Sequence, residues 1–303
     1  MPNEVPQHKT EEKRSLGSTS NSLVIVDGAN LKSLEARPSF SSYLVQLWQR
    51  RHFVRAEAKN KSFSEGRDMF LGNVWIILNP LLRVAIYALV FGLVLRVSRG
   101  MDNFIGFLVI GVIYFGFVSS ALAGSTNLIR SSRGIISSFS FPKASLVLSM
   151  ILRQALDNIV PSFVAIMLAL AFQPTIIINW TYALLPLHFL LLHIFAAGFS
   201  FFIARTTAFV PDFKGVVNLV SRGLFFVSGV FFPLSRFDGH PVLVSIMQGN
   251  PVYELLTIAR SIILEGSPGE LEMWIHFVLW SFGLFIFGLL YFWQAEARYA
   301  SVK

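Results

Sequence analysis

The sequence predicts an all-α integral membrane protein: six transmembrane helices, an N-terminal amphipathic interface helix, and a re-entrant helix pair between helices 5 and 6. Three observations lead there. Of the 303 residues 54% are hydrophobic and 14% charged, against about 25% charged in soluble domains, so water could not solvate a fold that hid so little of its apolar surface. The mean hydropathy is +0.60, and long uncharged runs follow residue 72. Lys and Arg, which give a net charge of +8, gather in alternate loops, which is the mark of membrane topology. Disordered, collagen-like and disulfide-rich classes are excluded. With no cysteine, so are thiolate metal sites and cysteine nucleophiles.

The first 20 residues are polar, mixed in charge and rich in Ser, Thr and Pro, with too little apolar content to offset ordering entropy. Residues 1–35 are expected to be a disordered cytoplasmic tail. A cleaved signal needs an apolar core of about 7 to 15 residues; Leu23 to Val26 is too short, so none is expected. Residues 36–70 form the interface helix and linker. Phe40, Tyr43, Leu44, Leu47 and Trp48 follow the i, i+3, i+4, i+7, i+8 spacing of one helical face, and Pro38 and Ser39 can start the helix. Gln46, Gln49, Arg50, Arg51, Arg55, Lys59 and Lys61 occupy the other face and its continuation, as in a helix lying on a membrane surface. Packing on a cytoplasmic partner is the alternative.

The six-span domain, residues 71–303, is judged against the roughly 20 residues needed to cross hydrocarbon. Spans are placed at 73–95, 104–126, 144–172, 180–204, 214–232 and 273–294. Pro142 suits the first turn of the third. Pro241 to Met247 and Leu255 to Leu264 are too short to cross and flank Gly249-Asn250-Pro251; they read as a re-entrant pair, tolerated where protein or water satisfies the backbone. Eleven Lys and Arg precede residue 70; with Arg130, Arg133 and Lys143, then Arg205 and Lys214, then Arg298 and Lys303, one side holds eighteen. The other holds Arg96, Arg99, Arg236 and Arg260. Both termini are therefore expected in the cytoplasm, and the basic excess reports topology rather than nucleic-acid binding.

Several chemistries lack their residues. There is no Gly-Lys pair for a phosphate-binding loop, no H-E-x-x-H and no G-x-S-x-G. His188 and His193 are five apart in an apolar span and are expected to pack or bridge helices. If ATP drives transport, another chain must hydrolyse it.

Leu71-Gly72-Asn73-Val74-Trp75, then Asn79-Pro80 and Tyr87 to Phe91-Gly92, are similar to an L-G-x-x-W-x-x-x-x-P opening. Phe141-Pro142-Lys143, Pro211-Asp212-Phe213, Phe231-Phe232-Pro233, Asn250-Pro251 and Arg260 follow in order. Over residues 40 to 295 this set resembles the type-two ABC exporter permeases that move O-antigens, capsules, teichoic acids or cell-wall glycans. Pro211 stands where that family usually has arginine, so an Arg-dependent role there is not expected. The resemblance implies a homodimer in the bacterial plasma membrane with two separate ATPase subunits. ATP and Mg would sit on those subunits, with no cofactor on this chain, and the cargo would be a polyprenyl-pyrophosphate-linked polysaccharide.

It further implies a helix between the second and third spans that docks on the ATPase, for which Asn127, Leu128, Ile129, Arg130, Arg133, Ile135 and Ile136 supply apolar anchors and cations; an ordinary basic loop is the plainer reading. A channel lined by aromatics of the first and fifth spans is implied too. The candidates are Tyr87, Phe91, Tyr114, Phe225, Phe226, Phe231 and Phe232, whose flat rings suit the C–H faces of a sliding sugar chain. Arg83, Arg153 and Arg222 lie inside spans, where each costs about 2.5 to 3.5 kcal/mol without a partner. Arg153 and Asp157 can pair at i, i+4. These cations are candidates to meet the pyrophosphate bidentately, with snorkelling or internal pairing as the alternative. Gly116, Ser120 and Gly124, and Ala196, Ser200 and Ala204, are spaced for close helix packing, at a dimer interface or within the chain. Two rival functions are weighed. A drug or peptide efflux permease has no use for the basic interface helix and the aromatic wealth. A secondary transporter or channel should show several intramembrane acids or repeats, and only Asp157 qualifies.

Overall fold

The computed structural model describes residues 38–64, 74–94, 101–175, 179–237 and 239–302. The expected tail 1–35, the Leu71-Gly72-Asn73 part of the opening motif, and Arg96 and Arg99 lie outside them. Among the described residues every regular element is helical. The interface segment is two helices, α1 (Phe40–Gln49) and α2 (Arg51–Ser64), divided at Arg50. Ser39 starts α1, its Oγ accepting the Ser42 N–H. The predicted apolar face is itself divided: Tyr43 is fully buried and Phe40 and Leu47 pack beside it, while Leu44 and Trp48 are exposed.

The helix α3 (Val74–Tyr87) continues as π-helical turns over Ala88–Val94. The next, α4 (Phe104–Ser125), is apolar all round and buried around most of its circumference, as such a helix must be. Asn103 caps it: Oδ1 accepts the Gly106 N–H at 2.7 Å, while Nδ2 donates to Ala169 O and Gln173 Oε1. Two short helices follow, α5 (Leu128–Ser131) and α6 (Arg133–Ser138), and then α7 (Ala144–Ala171). Pro142 stands just ahead of α7 rather than in its first turn, since Lys143 holds the cap position.

A 3-10 turn, Trp180–Leu184, leads into α8 (Leu185–Phe209), so the helix of the fourth span ends five residues later than predicted. Arg205, expected in a loop, is consequently inside it. Next comes α9 (Phe213–Val227), shorter than the fifth predicted span because the chain turns at Gly229, whose φ of 67° suits glycine. The last helices are α10 (Pro241–Gln248), α11 (Pro251–Arg260) with π-helical turns Ser261–Glu265, and α12 (Leu271–Trp293), followed by a 3-10 turn, Glu296–Ser301. Helices α4, α7, α12 and the stretch from Trp180 through α8 are long and apolar enough to cross a membrane. The first and fifth predicted positions hold shorter helices, α3, with an apolar stretch over Leu81–Gly92, and the amphipathic α9.

The pair α10–α11 sits where the re-entrant hairpin is predicted. Asn250 fixes its turn, accepting the Val252 N–H at 3.0 Å and donating to Ser228 Oγ at 2.9 Å, and Pro251 takes the first helical position, where its missing N–H costs nothing. Both histidines bridge helices as expected. His188 shares a 2.9 Å bond with Leu255 O on α11, and His193 lies 3.2 Å from Asn158 Nδ2 on α7. Ala196, Ser200 and Ala204 are buried within the chain. At Gly198 and Gly288 α8 and α12 meet backbone to backbone.

Candidate functional site

The aromatic side chains of α3 with its π-helical extension, α9 and the turn after α9 form one continuous surface. Phe91 stacks on Phe231 with ring centres 4.0 Å apart and planes 15° apart. Tyr87 meets Phe231 at 5.1 Å and Phe225 at 5.7 Å, Phe226 lies beside Phe225, and Phe232 stands edge-on to Phe91. The turn at Gly229 folds Phe231 and Phe232 back toward α3, which is how residues about 140 apart in sequence share one face. Phe226 is 61% exposed, whereas Phe231, predicted to line the channel, is a correction: at 1% exposure it is the closed floor on which the other rings pack and lines no open face. Tyr114 is a correction: it is buried in the core, bonded to Ser162 Oγ at 2.9 Å and packed on His188, so it lines no open face.

The arginines divide. Two clefts of about 270 and 260 Å³ meet at Asp157, which lines both. One lies between α4 and α7 near α5 and includes Glu57, Arg153 and Gln154; the other, between α3, α4 and α7, includes Trp75, Asn79, Arg83, Ser120 and Asn158. Arg153 Nε lies 3.4 Å from Asp157 Oδ2, the predicted i, i+4 pair. Arg83 is exposed along its cleft, and Arg222 is exposed on α9, next to Ser221, which bonds Ser119 at 3.0 Å. Gly116, Ser120 and Gly124 line these clefts. A seam with this many amide, hydroxyl and charged groups at membrane level implies water or a polar ligand against it.

In the α5–α6 segment the predicted anchors fall on two sides. Ile129 and Ile136 are 2% and 6% exposed and belong to the apolar cluster around Tyr43 and Phe292. They are occupied by the chain's own packing and offer no anchor to a partner. Leu128 is half-buried against the same cluster, and Asn127 precedes α5 without a side-chain capping bond. Arg130 donates to Ala208 O at 3.3 Å. The outward side consists of Arg133, Ile135 and, unpredicted, Phe139 at 67% exposure. Beside them α2 and α6 enclose an apolar cleft of about 410 Å³ lined by Phe53, Ile135, Phe139 and Phe141, with Arg50 and Glu57 at its edge.

Among the described residues three charged side chains are buried, Glu254, Arg260 and Glu296, and the last two hold backbone groups remote in sequence. Arg260, a landmark of the family resemblance and counted from sequence with the cations of the outer side, is 5% exposed. Its guanidinium lies over the Phe107 ring and donates to Phe107 O, to Gly229 O at 2.9 Å and to Val230 O at 3.1 Å. It thereby ties the re-entrant pair to α4 and to the turn that closes the aromatic surface. Gly111 makes this possible, since a Cβ there would overlap the guanidinium. Glu296 lies past the end of α12; burial pushes its carboxyl above the usual carboxylate range even though Lys143 and Tyr43 hold it by hydrogen bonds. The sequence marks Arg260 only as a landmark of the family resemblance and does not mark Glu296, because the partners of both are remote in the chain.

An all-helical membrane domain with a re-entrant pair and an aromatic face assembled from its first and fifth segments has the features of a transporter's membrane subunit. The chain belongs to the ABC-2 type transporter family, whose model matches residues 60–264. It is 24% identical over 222 residues to an O-antigen export system permease protein of Myxococcus xanthus, covering 73% of this chain and 83% of that one. A Klebsiella pneumoniae O-antigen export system permease protein is 25% identical over 239 residues, covering 78% and 89%. The polysialic acid transport protein of Escherichia coli is 24% identical over 204 residues, covering 66% and 76%. Family membership implies an ABC ATPase as partner.

Proposed function

We propose that this chain is the membrane-spanning subunit of an ATP-driven exporter that passes a polyprenyl-pyrophosphate-linked polysaccharide outward across the bacterial plasma membrane. Two copies work with two ATPase subunits that hold the ATP and Mg. The observation behind this reading is the ring face of Tyr87, Phe91, Phe225, Phe226 and Phe232, packed over the buried Phe231. Such a surface offers apolar contact to sugar faces without directional bonds, which lets a polymer slide. In this reading the clefts beside it receive the pyrophosphate, with Arg83 and the Asp157-paired Arg153 as their guanidinium donors and Arg222, exposed on α9 outside both clefts, as a further one. The α5–α6 segment docks on the ATPase through Arg133, Ile135 and Phe139, and the cleft against α2 accepts an apolar side chain of that subunit.

The test is reconstitution with the cognate ATPase in vesicles carrying lipid-linked glycan. Arg83→Gln and Arg222→Gln should each lower export about tenfold, the effect of losing one charge-assisted contact of ~1.5 kcal/mol, at unchanged membrane abundance. Normal export in both variants would remove the phosphate role. A wild-type complex that hydrolyses ATP yet moves a hydrophobic drug and no glycan would remove the polysaccharide assignment.

A further inference from the structure

The helix α7 begins without a capping acceptor of its own. Lys143 occupies the cap position, and an ammonium side chain has donors only, so the first N–H groups of the helix need acceptors from elsewhere. They find them in two remote segments. Glu296 Oε1 accepts the Lys143 N–H at 2.8 Å, the Tyr43 hydroxyl oxygen accepts the Ala144 N–H at 3.1 Å, and the same hydroxyl donates to Glu296 Oε2 at 2.8 Å. Lys143 Nζ adds an ion pair at 3.4 Å. Tyr43 and Glu296 are both buried, and a carboxylate at a helix N-terminus is favoured by the helix dipole. One acid thus joins the interface helix, the start of the third span and the turn after the sixth.

The neighbouring chain path makes this joint consequential. Between α6 and α7 the backbone is extended at Phe139, with φ −133° and ψ 137°, so no continuous helix carries a push from α6 into α7. Ile136 of α6 packs in the same apolar cluster as Tyr43, Phe292 and Tyr299. A force on α6 therefore reaches α7 through that cluster and the bonds of Glu296 rather than along the linker.

We infer that Glu296 is a positioning residue for energy coupling: it makes α1, α6 and the cytoplasmic end of the third span move as one body when an ATPase subunit displaces the α5–α6 segment. This rests on the reading of the chain as the permease of an ATP-driven exporter. The experiment measures glycan exported per ATP hydrolysed in proteoliposomes holding the complete complex. Glu296→Ala should lower that ratio about tenfold, with hydrolysis within about twofold of wild type. Glu296→Gln, which keeps an acceptor for Lys143 N–H, should restore at least half of it, and Tyr43→Phe should fall between the two. An unchanged ratio in both Glu296→Ala and Tyr43→Phe overturns the inference, as does a parallel loss of export, hydrolysis and membrane abundance that Glu296→Gln fails to relieve. If Glu296→Ala does not accumulate, Tyr43→Phe decides alone, and an unchanged ratio again overturns it. A wild-type complex that hydrolyses ATP and exports no glycan overturns instead the export reading beneath it.

Discussion

Arg260 and Glu296 show two ways of burying a charge at the ends of helices. Arg260 serves carbonyls that the chain leaves open beyond α9, those of Gly229 and Val230, besides Phe107 O on α4. Glu296 serves N–H groups at the start of α7. Both exploit the orphan backbone groups at helix ends, but burial of the carboxylate is the stronger influence on its titration and raises its pKa. An acid raised in this way contributes stability that is complete below its unfolded value and is lost as pH rises through the folded one. The wild-type unfolding temperature should therefore fall relative to Glu296→Gln as pH goes from about 5 to about 8, since the amide keeps the shape and cannot ionise. Thermal unfolding of both proteins in detergent across that range checks the sign; a gap that stays constant or reverses contradicts it. Neither residue's role was legible in the sequence, because charge and position are local while the groups at 43, 143, 107 and 229 meet only in the fold.

Element boundaries were legible where composition changes sharply and displaced where it does not. The second, third and sixth spans lie within two residues of prediction because polar caps or Pro bound them. The fourth is displaced because Trp180–Leu184 is apolar but wound as a 3-10 turn, and Arg205 is held inside the helix by stacking on Tyr291 at 3.8 Å and bonding its carbonyl. Small-residue spacing marked buried helix surface at Ala196, Ser200 and Ala204 but fell on cleft walls at Gly116, Ser120 and Gly124, and it missed the backbone contact of Gly198 with Gly288. At Gly288 a Cβ would overlap Gly198 O, and at Gly198 it would stand 2.5 Å from the backbone carbon of Leu284, whereas Gly283 on the same helix faces open space. Gly198→Ala and Gly288→Ala should each cost about 1–3 kcal/mol, the usual penalty of overpacking, because the obstructing atoms are backbone and cannot rotate away. Gly283→Ala should be neutral or slightly stabilising, since alanine is the better helix former. Unfolding midpoints of the three variants separate these outcomes, and equal effects would mean that α8 and α12 are not in backbone contact.

For the molecule as a whole, the aromatic face was legible as a composition and became a site only through the turn at Gly229, which no periodicity announces. Orientation, in contrast, depends on how cations are distributed, and the structure changes that tally. Arg205 leaves the loops for α8, and Arg260, in the second arm of the re-entrant pair, turns to the interior, where it binds carbonyls instead of facing solvent. The contrast survives, because seventeen basic residues remain on the side of α1, α5 and α6 and three on the side of α10 and α11. On the positive-inside rule this asymmetry predicts that the α5–α6 segment faces the cytoplasm, the compartment that holds ATP. The absence of cysteine makes a direct test clean, since a single introduced thiol has no background. Val242 is 73% exposed on α10, and Ser137 is exposed on α6. Val242→Cys should react with a membrane-impermeant maleimide in intact cells freed of their outer envelope, while Ser137→Cys should react only once the membrane is opened. The reverse pattern would put the α5–α6 segment on the face that no ATPase can reach, and its assignment as the docking element would fall with the orientation.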